Sequence, residues 1–137
     1  MLALKDIRQY ISDLKIAEDK HVYIGKMDAK QDKSIGVYPR PAKGLPVMAL
    51  GGKNNSSYDI KRISLLIHWN RNISESEAAA SRLYDELLNE TSLMIGNTHI
   101  QFLILQVPEP VNVGTDDKGI YEYVIELDFY YQKERKE

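Results

Sequence analysis

Gly119–Gln132 reads GIYEYVIELDFYYQ, and its pattern decides the fold class. Tyr121, Tyr123, Ile125, Leu127, Phe129 and Tyr131 occupy alternate positions, while Glu122, Glu126 and Asp128 punctuate the positions between them. A period of two is the geometry of an extended strand, whose successive side chains point to opposite faces of a sheet. One face of this strand is expected on a core and the other in solvent or at an interface, as in antiparallel sheets.

The segment before it, Pro108–Gly119, reads as irregular. Upstream again, Thr98–Val107 predicts a strand with Ile100, Phe102 and Ile104 on one face and Leu103, Leu105 and Val107 on the other. Apolar residues on both sides predict a central strand covered on both faces. Ser74 with Glu77 three residues later forms a capping box, which opens a helix whose stripe is Ala80, Leu83, Tyr84, Leu87 and Leu88 and which ends at Asn89–Ser92. Tyr58–Asn70 predicts a long strand. It has Ile63, Leu65, Ile67 and Trp69 on one face and Arg62, Ser64, Leu66 and His68 on the other.

Pro39–Ser57 holds three prolines, three glycines and the run Asn54-Asn55-Ser56-Ser57, so it predicts a long mobile loop. Its apolar island includes Leu45, Val47, Met48 and Leu50. That island suits docking on a partner, or packing on the loop's own domain. Nearer the N-terminus, His21–Lys26 and Ser34–Tyr38 predict two short strands joined by a charged turn. Leu4, Ile7, Ile11 and Leu14 recur at helical spacing. Lys133–Glu137 is a charged tail expected to fray. The reading is therefore one domain, residues 1–137, of the α+β class, with a mainly antiparallel sheet and two helices packed on one face.

A chain of 137 residues can bury a core without disulfides or metal, and this one contains no cysteine. Eighteen basic and 20 acidic residues, well mixed, give a net charge of −2, which disfavours tight non-specific binding to nucleic acid. The longest apolar run, Ile63–Ile67, is interrupted by Ser64 and far too short to cross a bilayer. With Lys5, Asp6 and Arg8 in the first helix, the N-terminus does not read as a signal peptide. The expectation is a soluble protein, intracellular when made.

Catalytic and metal patterns fail at named positions. His21, His68 and His99 are scattered, and edge or surface histidines are expected. Asp116-Asp117-Lys118-Gly119 reads as a turn, not a calcium loop. Asp59-Ile60-Lys61 has the acid-x-lysine form of metal-dependent nucleases, but Glu18-Asp19-Lys20 and Asp28-Ala29-Lys30 show how readily it arises by chance. Gly52-Lys53 lacks the phosphate-loop context, with Val47 where glycine belongs and Asn54 where Ser or Thr belongs. No catalytic residue, metal site or cofactor is assigned. The nine tyrosines are the unusual feature. Aromatics on a sheet can stack single-stranded bases, but the carboxylates of the last strand oppose a phosphate backbone, so core packing and a protein interface fit better.

Val107–Tyr123, VPEPVNVGTDDKGIYEY, resembles the C-terminal signature of tailed-bacteriophage minor capsid and tail-terminator proteins, which leads into a final strand ending Tyr-Tyr-x-Lys. Here that end is Tyr130-Tyr131-Gln132-Lys133. Val22-Tyr23-Ile24-Gly25-Lys26 and the order of elements are similar to the same family. The resemblance implies a tail-terminator-like fold and a structural, non-enzymatic virion protein at the head–tail junction, assembled in the bacterial host cytoplasm. It implies a ring homo-oligomer, commonly a hexamer, that caps the tail tube protein and docks to the head connector or stopper. DNA would pass through the pore without specific binding. On this reading Trp69, Tyr130 and Tyr131 join Leu45, Val47, Met48 and Leu50 as interface candidates. Core or edge packing is the competing role for the three aromatics. The alternatives are a head-side connector or stopper subunit and a small nucleic-acid-binding module.

Overall fold

The computed structural model describes residues 2–26, 31–41 and 58–132. Helix α1 is Leu4–Asp13, and a short 3₁₀ turn at Asp19–His21 leads into strand β1, Val22–Ile24. Strand β2 is Ser34–Pro39, β3 is Tyr58–His68, helix α2 is Ile73–Leu88, and β4 is Leu93–Ile95. The chain continues through β5 (Thr98–Leu105), β6 (Val111–Thr115) and β7 (Tyr121–Gln132). The predicted α+β class holds, with two helices and a mostly antiparallel, curled sheet.

The sheet runs β1-β2-β3-β7-β5-β4, and β6 also pairs with β7. Strand β7 organises it. Along one side β3 pairs with β7 from Tyr58↔Gln132 to His68↔Glu122. Along the other side β5 covers the C-terminal half of β7 and β6 covers the N-terminal half. The alternation read from Gly119–Gln132 is realised: Tyr123, Ile125, Leu127, Phe129 and Tyr131 are buried on one face. Ile63, Leu65 and Ile67 of β3 and Ile35 and Val37 of β2 share that face through the register.

Both helices pack there, α1 on β1, β2 and β4 and α2 on β7 and β5. Ile7 and Ile11 of α1 and Ala79, Ala80, Leu83 and Leu87 of α2 join the strands in one hydrophobic cluster. Each such large side chain removed from water contributes roughly 1.5–3 kcal/mol, so this layer supplies most of the driving force for folding. The ring of Tyr10 in α1 meets Phe129 edge-on at 6.4 Å, a favoured aromatic geometry.

Several sequence expectations are corrected. Strands β1 and β2 are parallel, whereas neighbouring strands without a crossover helix were expected to be antiparallel. Pro39 and Arg40 belong to the sheet, not to the long loop: Pro39 pairs with Ile63, and the Arg40 N–H donates to Arg62 O at 3.0 Å. The cap of α2 is Asn72, two residues before Ser74; its side chain accepts from Glu75 N at 3.1 Å. Leu88 points away from the core and is exposed. Pro108–Gly119 contains strand β6, which its composition conceals because all five of its residues are exposed and show no alternation.

Strand β5 is not covered on both faces. A bulge lies between Ile100, which pairs with Tyr131, and Phe102, which pairs with Tyr130. One extra residue reverses the facing of everything beyond it. Ile100, Leu103 and Leu105 therefore share the core side, and Phe102 and Ile104 face the other way.

Candidate interaction surface

The sheet face away from the helices carries the even-numbered residues of β3 and β7. Ile60, Tyr130 and Phe102 stand side by side on β3, β7 and β5. The Tyr130 ring stacks on Phe102 with centroids 4.6 Å apart and on Tyr58 at 5.8 Å, at interplanar angles of 24° and 28°. Next along β5, Ile104 extends the apolar row. Phe102 is 44 % exposed and Ile104 39 %. Large aromatic and aliphatic side chains grouped on one open sheet face mark an interaction surface more than a scatter of single exposed residues does.

The sequence-derived candidates separate in space. Trp69 is only 8 % exposed and Tyr131 only 5 %, and both belong to the hydrophobic cluster. The Trp69 backbone is held at both ends, its N–H donating to Tyr121 O at 3.1 Å and its carbonyl accepting from Lys33 N at 2.6 Å. Burial, and then the Asp59 carboxylate, push the Tyr131 phenol above its ordinary value. Tyr130, one residue away in sequence, lies on the opposite face in the aromatic row. Leu45, Val47, Met48 and Leu50 lie outside the described residues, as does the tail 133–137. Sequence reading did not single out Tyr58, Phe102 or Ile104; for the two on β5, the bulge that turns Phe102 away from the core leaves no mark in the apolar pattern.

Beside the row sits a polar cluster around the buried Asp128. The Asp128 carboxylate pairs with the Arg40 guanidinium and also accepts from Gln106 Nε2 at 2.9 Å. Arg40 Nε donates to Ile63 O at 3.2 Å and lies 3.9 Å from Glu126 Oε2. Removing one partner of such a pair strands a buried charge, which costs far more than the intact pair contributes. Arg40 thus ties β2 to β7 across β3 and fixes the polar edge of the apolar row. Glu126 and Asp128 also make the row a poor platform for nucleic acid, since carboxylates repel phosphate.

At the other end of β3, His68 is buried at 2 % exposure, not at an edge or surface as expected. Its Nδ1 lies 3.1 Å from Glu122 Oε2, and its Nε2 lies 3.7 Å from Asp116 Oδ2 with no hydrogen-bond partner. Asp116 builds the turn joining β6 to β7. Its Oδ1 accepts from Lys118 N and Ile120 N, each at 2.9 Å, and its own N–H donates to Ile120 O at 3.0 Å. Burial works to raise the Asp116 carboxyl, but those two N–H donors, with His68 and Lys118, outweigh it and hold the carboxyl below its usual range.

Strand β6 is a second exposed feature. Val111 and Val113 are exposed, and a groove of about 540 Å³ beside them is lined by Ile73, Glu77, Pro108, Pro110, Val111 and Tyr123. Burial, followed by the charge of Glu77, raises the Tyr123 phenol at its floor. Among the described residues, no group of three or more metal-binding side chains could hold an ion. No helix among them is long and apolar enough to cross a membrane. The described surface thus combines an aromatic row, an edge strand and polar cross-links between them.

A family model for the bacteriophage tail terminator protein matches residues 10–133. A search of curated proteins finds no match.

Proposed function

Because the chain belongs to the bacteriophage tail terminator family, a family of structural virion proteins, we propose that it assembles as a closed ring, of six copies, on the end of the tail tube. There it halts tube growth and presents a surface to the head connector or stopper. The observation that carries this reading, beyond membership, is the row on the open sheet face in which exposed Phe102 and Ile104 adjoin half-buried Tyr58 and Tyr130. Stacked rings are already ordered, so covering them costs little side-chain entropy, and large rigid aromatics dominate protein interfaces. A ring needs two different surfaces on each copy that meet head to tail. The aromatic row and the exposed strand β6 with its groove are two such surfaces. DNA would pass the ring without specific binding, in keeping with a net charge of −2.

Electron microscopy of purified tail tubes mixed with the protein tests this role. The expected result is density on one end of each tube and an arrest of further tube polymerisation. Tubes that bind the protein along their sides, or lengthen at the same rate in its presence, would contradict it.

A further inference from the structure

On the open sheet face, His68 Nε2 is a buried side-chain nitrogen with no hydrogen-bond partner among the described residues. In the neutral tautomer whose Nδ1–H donates to Glu122, Nε2 carries a lone pair, buried and facing the Asp116 carboxylate at 3.7 Å. Two acceptors then face one another, an arrangement that costs free energy in a low-dielectric setting. A proton on Nε2 reverses this: the imidazolium becomes a donor on both sides, to Glu122 on β7 and to Asp116 in the β6–β7 turn. From 3.7 Å, a closure of under about 1 Å brings Nε2–H into hydrogen-bond range of the carboxylate.

We propose that His68 is a proton-operated latch that fastens the β6–β7 hairpin to strand β3. Asp116 is the hairpin's organising residue, so whatever holds Asp116 holds the turn and, through it, the exposed strand Val111–Thr115. Histidine is the side chain whose charge changes near neutral pH. The proton therefore tightens the hairpin, and its loss leaves the turn with its backbone bonds alone. The surroundings are compatible. From β2 the register neighbour is the uncharged Ser34, and from β7 it is Glu122. The other charged groups on the adjoining segments are Asp32 and Lys33 before β2, Arg71 after β3, and Asp117 and Lys118 in the turn. Arg71 Nε is used on Lys118 O at 2.9 Å. Among the described residues, the carboxylates within 4 Å of the His68 ring nitrogens are those of Glu122 and Asp116. A metal bridging Nε2 and Asp116 is a poorer reading, because two protein ligands fall short of the usual three or four.

Amide hydrogen exchange of Lys118 and Ile120, corrected for the intrinsic effect of pH, tests the latch. Protection is expected to fall roughly tenfold as the solution is taken from mildly acidic to mildly alkaline, the scale of one charge-assisted hydrogen bond. Asp116→Asn keeps an oxygen for the two N–H donors but removes the charge opposite Nε2, and its protection should be flat across that range. His68→Gln should be flat as well. Should the glutamine variant fail to fold, the imidazole nitrogen shifts of the wild-type protein give the second readout, and they should titrate together with the loss of protection. Corrected protection that is unchanged with pH in the wild-type protein, or a change that survives in Asp116→Asn, overturns the proposal.

Discussion

Asp116 receives two backbone N–H groups on one oxygen and faces His68 with the other. Its depressed carboxyl gives a signed prediction. A group whose folded-state pKa lies below its ordinary value adds stability above that value and loses it as pH falls through the folded one. The amide resonances of Lys118 and Ile120 should therefore move with a midpoint below 3.8, the ordinary value for this carboxyl, as the protein is acidified. A midpoint at or above 3.8 would contradict the hydrogen-bonding account of the turn. Together with the latch, this predicts a hairpin best protected in mildly acidic solution and loosened on either side. The sequence showed Asp116-Asp117-Lys118-Gly119 as a turn, and it is one. It did not show His68 buried against that turn, because Asp116 and His68 are 48 positions apart and meet only through the pairing of β3 and β6 with β7.

At the scale of elements, legibility followed periodicity. Strands β3 and β7 were read on the correct faces because eleven or twelve residues of alternation leave one assignment. Helix α2 was found by its stripe but capped two residues late, since Ser74 with Glu77 has the form of a capping box, whereas the cap is the single bond that Asn72 accepts from Glu75 N. Asn72→Ala should cost about 1 kcal/mol in urea unfolding, and Ser74→Ala much less; equal losses would return the cap to Ser74. Strand β6 and the bulge in β5 escaped because each breaks the period on which the reading depended. Both missed features belong to the candidate surface. The aromatic row exists only because the bulge turns Phe102 to the side of Tyr130, and the edge strand exists only because β6 completes the flank of β7 that β5 leaves uncovered.

The whole molecule divides its two faces between two tasks. The helix side holds the hydrophobic cluster, into which Trp69 and Tyr131 are drawn. The open side holds cross-links, Arg40 with Asp128 and His68 with Glu122 and Asp116, around an apolar row that the described part of the chain leaves exposed. Such a division suits a subunit that folds alone and assembles afterwards. Family membership makes the chain a phage tail protein, and the open face is one of the two surfaces we propose for its assembly. Phe102→Asp separates folding from assembly. At a position 44 % exposed and stacked on Tyr130, the change should cost roughly 1–3 kcal/mol of unfolding free energy, less than a folded domain's stability, while placing a charge in the centre of the contact. The most direct measurement is light scattering after size exclusion, over a range of concentrations, for the wild-type protein and this variant. The predicted result is a wild-type ring with the mass of six 15.7 kDa chains and a folded, monomeric Phe102→Asp. A wild-type protein that stays monomeric at every concentration, even with tail tube protein present, or a variant that forms the same ring, would contradict the account.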